Sequence, residues 1–95
     1  MSYSVIVAKR ALRISKKFFP VIKNLIIKEL ESIAENPHKT PSLGGKFYFL
    51  KSHHTYFKGV PYRIIYSIRE EKKTILVYLV AKRSEVYKLL DRLFK

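Results

Sequence analysis

The sequence contains no cysteine, only three glycines and only seven acidic residues. Without cysteine there are no disulfides and no thiolate zinc site, and a reducing cytoplasm is the expected compartment. So few glycines beside a hydrophobic fraction of 47% argue for a packed globule rather than a disordered arm. No apolar run approaches the roughly 20 residues that a membrane span needs, so no membrane role is expected. The opening MSYSVIVAKR places its charges after a very short apolar run, the reverse of the order in a secretory signal. Ninety-five residues make one domain, 1–95, near the lower limit of what a single core stabilises unaided.

What the chain has in abundance is positive charge. Twenty Lys and Arg against seven acids give a formal +13. Residues 1–28 carry seven basic residues and no acid, and residues 36–69 carry six and none. The acids are confined to Glu29, Glu31, Glu35, Glu70, Glu71, Glu85 and Asp91. Such a chain attracts polyanions, so RNA, DNA or an acidic protein is the expected partner. A merely solvated basic face is the plainer alternative for any single lysine.

Hydrophobic periodicity divides the chain into elements. Residues 3–7 (YSVIV) read as a short strand. From Ala8 the pattern turns helical, with Ala8, Ala11, Leu12, Ser15 and Phe19 on one face and Lys9, Arg10, Arg13, Lys16 and Lys17 largely off it. Pro20 ends that helix and suits the first turn of another, whose Ile22, Ile26, Leu30, Ile33 and Ala34 share a face until Asn36-Pro37. Residues 37–46 (PHKTPSLGGK) form the one real loop. Three strands are expected at about 47–58, 61–69 and 74–82. The last, TILVYLVA, is apolar on both faces and suits a central position. Glu70 to Lys73 make the turn between the final two strands. Ser84 is the expected N-cap of a closing helix with Val86, Leu89, Leu90, Leu93 and Phe94 as its apolar stripe. The class is α+β, in the order β-α-α-β-β-β-α, with a mostly antiparallel four-stranded sheet. Helices are expected toward one face, leaving the other free.

This order, with PYRIIY, the strand TILVYLVAKR and the closing SEVY, resembles the RelE/ParE superfamily of toxins from toxin–antitoxin pairs. AKRAL before a two-helix hairpin, then ENPH and a glycine-bearing loop, belong to the same pattern, and the likeness spans nearly the whole chain. It implies one of two activities. RelE-like members enter the ribosomal A site and cut mRNA without a metal, whereas ParE-like members poison DNA gyrase and lack the cleavage residues. The strand arginine of the YR-containing motif corresponds to Arg63, the arginine after the last strand to Arg83, and the tyrosine of SEVY to Tyr87. Their presence favours the RNase branch. Two lysines that alternate along the second strand in RelE-like toxins are replaced here by His54 and Tyr56, with Lys58 as the neighbouring base. That departure leaves the identity of the general base open.

Metal-free cleavage of RNA requires a deprotonated 2′-hydroxyl, neutralised charge on a pentacoordinate phosphate and a stabilised leaving 5′-oxygen. Arginine suits the second task, because its fork donates to two phosphate oxygens at once and never titrates. Arg63 and Arg83 are the expected phosphate clamps. The two-residue strand period puts His54, Tyr56 and Lys58 on one face and His53 on the other, so the adjacent histidines make a poor chelating pair. No metal and no cofactor is expected. His54 titrates near neutrality and suits proton abstraction. Tyr56 or Tyr87 could instead act as the base where positive surroundings favour a phenolate, or could stack a base of the mRNA. Tyr87 could equally pack as an amphipathic core residue, and His38, in the loop, reads as solvent-facing polarity. Lys9, Arg10, Arg13, Lys16 and Lys17 form a candidate docking face for the sugar-phosphate backbone.

The leading expectation is a ribosome-dependent mRNA endoribonuclease whose partners are the 70S ribosome, mRNA and an acidic antitoxin that the resemblance implies. DNA would enter only indirectly, through a toxin–antitoxin complex at its operator. The alternatives are a gyrase-directed toxin of the same fold and an inactive RNA-binding relative.

Overall fold

The computed structural model describes residues 2–18 and 20–94, with 14 and 15 described by backbone alone. Phe19, and the side chain of Ser15, therefore lie outside the described residues of the first helical face. The observed elements are β1 (Ser4–Val7), α1 (Lys9–Ser15), α2 (Pro20–Glu35), β2 (Lys51–Phe57), β3 (Val60–Arg69), β4 (Thr74–Lys82) and α3 (Val86–Leu93). They form one four-stranded sheet in the order β1-β4-β3-β2. The β2–β3 and β3–β4 pairs are antiparallel, and β1 joins β4 in parallel. The apolar TILVYLVA strand is thus central, as its two-faced hydrophobicity requires.

A bulge sets the two faces of the sheet. Tyr66 pairs with Val77 while its neighbour Ile65 pairs with Leu79, so Tyr78 is an extra residue in β4. An extra residue shifts the two-residue alternation by one. Ile75, Val77 and Val80 consequently join Tyr62, Ile64 and Tyr66 in one core, against Ile22, Ile26, Ile33 and Ala34 of α2. Leu79 and Ala81 join Ile65 in a second core, against Val86 and Leu90 of α3 and against Phe47 and Leu50. Full burial of each such Leu, Ile or Val contributes roughly 1.5–3 kcal/mol, so both cores are needed in so short a chain.

That second core corrects the expectation of a free sheet face. The α1 and α2 layer covers one face, while α3 and the segment around 43–50 cover the other. The β2 boundary is corrected too: Gly45–Phe47 is a 3-10 turn, and Phe47 and Leu50 turn inward as plugs instead of starting a strand. The loop is less irregular than expected, with a second 3-10 turn at Pro37–Lys39 and a bridge from Ser42 to Lys51. Ser84 does not cap α3; it lies within a 3-10 turn, Arg83–Glu85, and Glu85 precedes the helix with no side-chain cap. Leu12 is about half exposed, although Ala11 beside it is fully buried.

The β2–β3 hairpin closes through Lys58 and Gly59, both at positive φ (49° and 81°), as a two-residue turn between right-twisted strands demands. The β3–β4 connection is a 3-10 turn, Glu70–Lys72, ended by a left-handed Lys73. Here Glu70 accepts a hydrogen bond from the Tyr3 hydroxyl at 3.0 Å, pairs with Lys73 at 3.0 Å, and contacts the His38 ring. His38 is solvent-facing, as expected, and in addition is partnered by Glu70. The Lys73 and Tyr3 hydrogen bonds, and to a lesser extent His38, hold the Glu70 carboxyl below the usual carboxylate range, against an opposing effect of desolvation.

Candidate active site

The candidate site grows from the register of two strands. His54 of β2 lies opposite Arg63 of β3, and Arg63 lies opposite Ala81 of β4. Ala81 belongs to the core under α3, which places this row on the α3 face of the sheet. Two residues beyond Ala81 the strand has ended and the Arg83–Glu85 turn begins. The turn leads directly into α3, so Tyr87 sits at the near end of that helix.

The result is a cleft of about 230 Å³ lined by Leu43, Ser52, His54, Arg63, Arg83, Val86 and Tyr87. Four of the residues singled out from the sequence thus meet in one place. Arg63 is half-buried, and its guanidinium donates to the Tyr62 carbonyl oxygen at 3.3 Å, which limits its motion. Arg83 is exposed on its turn. Among the described residues, neither arginine belongs to an ion pair: the paired acids are Glu29, Glu70 and Asp91, none of which lines the cleft. Unneutralised guanidinium groups converging on a concave surface attract an anion with several oxygens.

His54 is held below the ordinary histidine pKa of 6.5, by partial burial first and then by electrostatic repulsion from Arg63, His53 and Arg83. Burial and the two guanidinium groups disfavour imidazolium, so the ring is neutral, and able to accept a proton, over a wider range below pH 7. Tyr87 is 59% exposed, which overturns its packing as a core residue and leaves its ring and hydroxyl free at the wall of the cleft.

The remaining candidates are dispersed. Tyr56 lies on the same strand face as His54, opposite Pro61, but it is 63% exposed and lines no part of the cleft. Lys58 has left the strand for the hairpin turn, and its ammonium lies 5.7 Å from the centre of the Phe57 ring. Phe57 packs on the α2-side core, so the expected row of His54, Tyr56 and Lys58 stops after Tyr56. Lys9, Arg10 and Arg13 are exposed on α1, behind the sheet as seen from the cleft. Lys16 and Lys17 follow in the turn after α1, and Lys17 shares a depression with Lys82 and Glu85 next to Arg83. The docking face expected on α1 is therefore not continuous with the cleft, except through Lys17.

Ser52 and Leu43 were missed by sequence reasoning. Ser52 could have been found from its two-residue spacing to His54; Leu43 could not, because its place depends on how the 41–50 segment folds back. Its backbone N–H donates to the Leu50 carbonyl at 2.8 Å. The cleft continues round the edge of β2, because Ser52 and His54 also line a groove with Asn36, Lys39 and Thr40. Among the described residues there is no cluster of side chains suited to a metal ion, and no helix is long and apolar enough to cross a membrane.

No curated protein sequence matches the chain. An arginine double mutant of the Escherichia coli toxin RelE in its free state is 25% identical, with a TM-score of 0.73 and 93% of each chain covered. The same mutant in complex with a peptide of the antitoxin RelBc is 27% identical, with a TM-score of 0.72 and 95% of each chain covered. The toxin–antitoxin complex RelBE2 of Mycobacterium tuberculosis is 22% identical, with a TM-score of 0.74, covering 87% of this chain and 100% of that one. The family model described as ParE toxin of type II toxin-antitoxin system, parDE, matches residues 5–87. The chain belongs to this ParE toxin family, within the RelE/ParE superfamily of type II toxin–antitoxin toxins.

Proposed function

We propose that this toxin is an endoribonuclease that cuts mRNA in the ribosomal A site and that an acidic antitoxin holds in check. The observation that carries the reading is the convergence of two unpaired arginines with a neutral-leaning histidine in one cleft. His54 takes the proton of the 2′-hydroxyl, and the 2′-oxygen attacks the adjacent phosphorus. Arg63 and Arg83 donate to the non-bridging oxygens, where charge builds in the pentacoordinate state. Donors already aimed at developing charge often lower the barrier more than any other single device. The bond to the 5′-oxygen breaks, giving a 2′,3′-cyclic phosphate and a free 5′-hydroxyl, with the departing oxygen protonated by the Tyr87 hydroxyl or by water. Arg83 assists electrostatically only, since a guanidinium does not release its proton near neutrality. The exposed Tyr87 ring also offers a stacking surface for a base.

The acidic partner follows from the +13 charge and from the antitoxin complexes of the similar structures. Ribosome-bound mRNA is the substrate that the RelE likeness implies. A gyrase-directed reading is favoured by two observations, the match to the ParE toxin family and the absence of lysine at positions 54 and 56.

Primer extension on a defined mRNA in a purified translation system separates the two. Cuts within the A-site codon that require ribosomes, and that fade in Arg63→Ala and Arg83→Ala, support the RNase. A folded protein that arrests growth yet cuts nothing refutes it, and inhibition of gyrase supercoiling by that protein would establish the second reading.

A further inference from the structure

The seven acids of this chain are scarce beside its twenty Lys and Arg, so an acid that pairs with neither calls for an explanation. Glu29, midway along α2, is such a residue. Its carboxylate accepts a hydrogen bond from the Thr55 hydroxyl at 2.7 Å and lies 3.3 Å from Nε2 of His53. The side chains of Glu29 and His53 are only 26% and 21% exposed, and Thr55 is buried. Water is therefore poorly placed to replace either bond. Thr55 and His53 flank His54 in the chain and point to the α2 side, while His54 points into the cleft.

We propose that Glu29 is a positioning residue, clamping β2 from behind so that His54 stays in line with Arg63 and Arg83. The strand needs such a clamp because it forms the edge of the sheet. On its outer side, among the described residues, the backbone of β2 pairs only at Lys51 and Ser52, with Ser42 and the Pro41 carbonyl, and the Lys51 ammonium donates to the Thr40 carbonyl at 2.7 Å. Beyond Ser52 the strand has no backbone partner on that side among the described residues, and such edges open easily. A carboxylate with two acceptor oxygens grips the residue on either side of His54 with one rigid group. The charged and titratable groups facing His54 are Arg63 of β3, Arg83 of the turn and Tyr87 of α3, with His53 beside it and Glu35 and Lys39 along the adjoining groove. The use of His54 as a base rests on the proposed cleavage; the clamp itself does not.

Glu29→Ala, Glu29→Gln and Thr55→Val, together with the unaltered protein, test the clamp in two assays. The first is NMR titration of the histidine rings in the free toxin, without RNA. Glutamine can still accept from Thr55 and can donate to the other tautomer of His53, so it keeps the grip while removing the charge. Removing a negative charge alone lowers the titration of His54, whereas loosening the strand raises it toward 6.5, by exposing the ring and separating it from the arginines. The expected result is an upward shift in Glu29→Ala and Thr55→Val, and none or a downward one in Glu29→Gln. In the second assay, cleavage, kcat falls on the order of 10–100-fold in Glu29→Ala with little change in KM, and Glu29→Gln restores most of it. A folded Glu29→Ala whose His54 titration does not rise overturns the proposal. Where Glu29→Ala does not fold, Thr55→Val decides by the same criterion. Should the unaltered protein cut no RNA, the cleavage reading falls and the titration alone still decides the clamp.

Discussion

Tyr66→Phe removes one oxygen from the centre of the molecule and tests the worth of the buried hydrogen bonding made by that hydroxyl. The Tyr66 ring is fully buried between β3 and α2, and its hydroxyl donates to the Pro37 carbonyl at 2.7 Å. Pro37 is itself fully buried, so the carbonyl gains no water when the hydroxyl is removed. Loss of a bond with a partner left buried costs about 1–3 kcal/mol. For a domain near 100 residues that corresponds to a fall in Tm of roughly 5–15 °C. Thermal melting by far-ultraviolet circular dichroism reads the change directly. Tyr56→Phe, at an exposed strand position, serves as the control and is expected within about 0.5 kcal/mol of the unaltered protein. Burial raises the Tyr66 pKa above its ordinary value of 10.0, with the Thr40 hydroxyl opposing in part. A raised pKa in the folded state means that stability is intact below pH 10 and is lost as pH rises through the folded value. The destabilisation of Tyr66→Phe should therefore shrink in strongly alkaline solution. A variant that melts with the unaltered protein at neutral pH would refute the reasoning, since the Pro37 carbonyl would then have no need of the phenol.

Arg63→Lys combined with Arg83→Lys keeps both charges but loses both forks, and RNA cleavage should drop by roughly 10²–10³-fold while the melting curve is unchanged; cleavage within tenfold of the original would show that charge alone suffices. The acid limb of the pH–rate profile should lie below pH 6.5, because His54 as the proposed base must be neutral and its pKa is depressed. Single-turnover rates across pH 4–8 check this, and a limb above 6.5, or one that persists in His54→Ala, would remove His54 from the base role. The same depression has a sign for stability: the folded state prefers neutral His54, so that contribution is present above 6.5 and is lost as pH falls. Leu90→Ala empties a fully buried site that fastens α3 to the sheet, at a cost of about 2–5 kcal/mol. Since α3 carries Tyr87, cleavage at a temperature well below the melt should also fall, and full activity would separate Tyr87 from the chemistry.

The strand carrying PYRIIY was legible because Tyr62, Ile64, Tyr66 and Ile68 alternate with Arg63, Ile65, Ser67 and Arg69, three of them polar, and a period of two has one structural solution. The same period placed His54 and Arg63 where their side chains could share a face. Lys58 was misread because its left-handed φ of 49° breaks that period within one residue, which composition does not disclose. The bulge at Tyr78 was not legible either. TILVYLVA is apolar throughout, so any register buries apolar atoms, and only the partners β3, α2 and α3 select the one in which Val77 and Val80 share a face.

Glu29 shows the same limit at the site. It is 24 residues from His53 and 26 from Thr55, and no local pattern joins a helix carboxylate to a strand that far away. Arg83 and Tyr87 were legible as types of residue, but their meeting with His54 depends on a 3-10 turn that steers α3 across the second sheet face. By itself the sequence determined the element order, the excess of positive charge and the residue types fit for phosphate chemistry, because these depend on local periodicity and composition. The tertiary structure decided which face each group occupies and which cations stand unpaired together, because those depend on long-range packing that local rules do not contain.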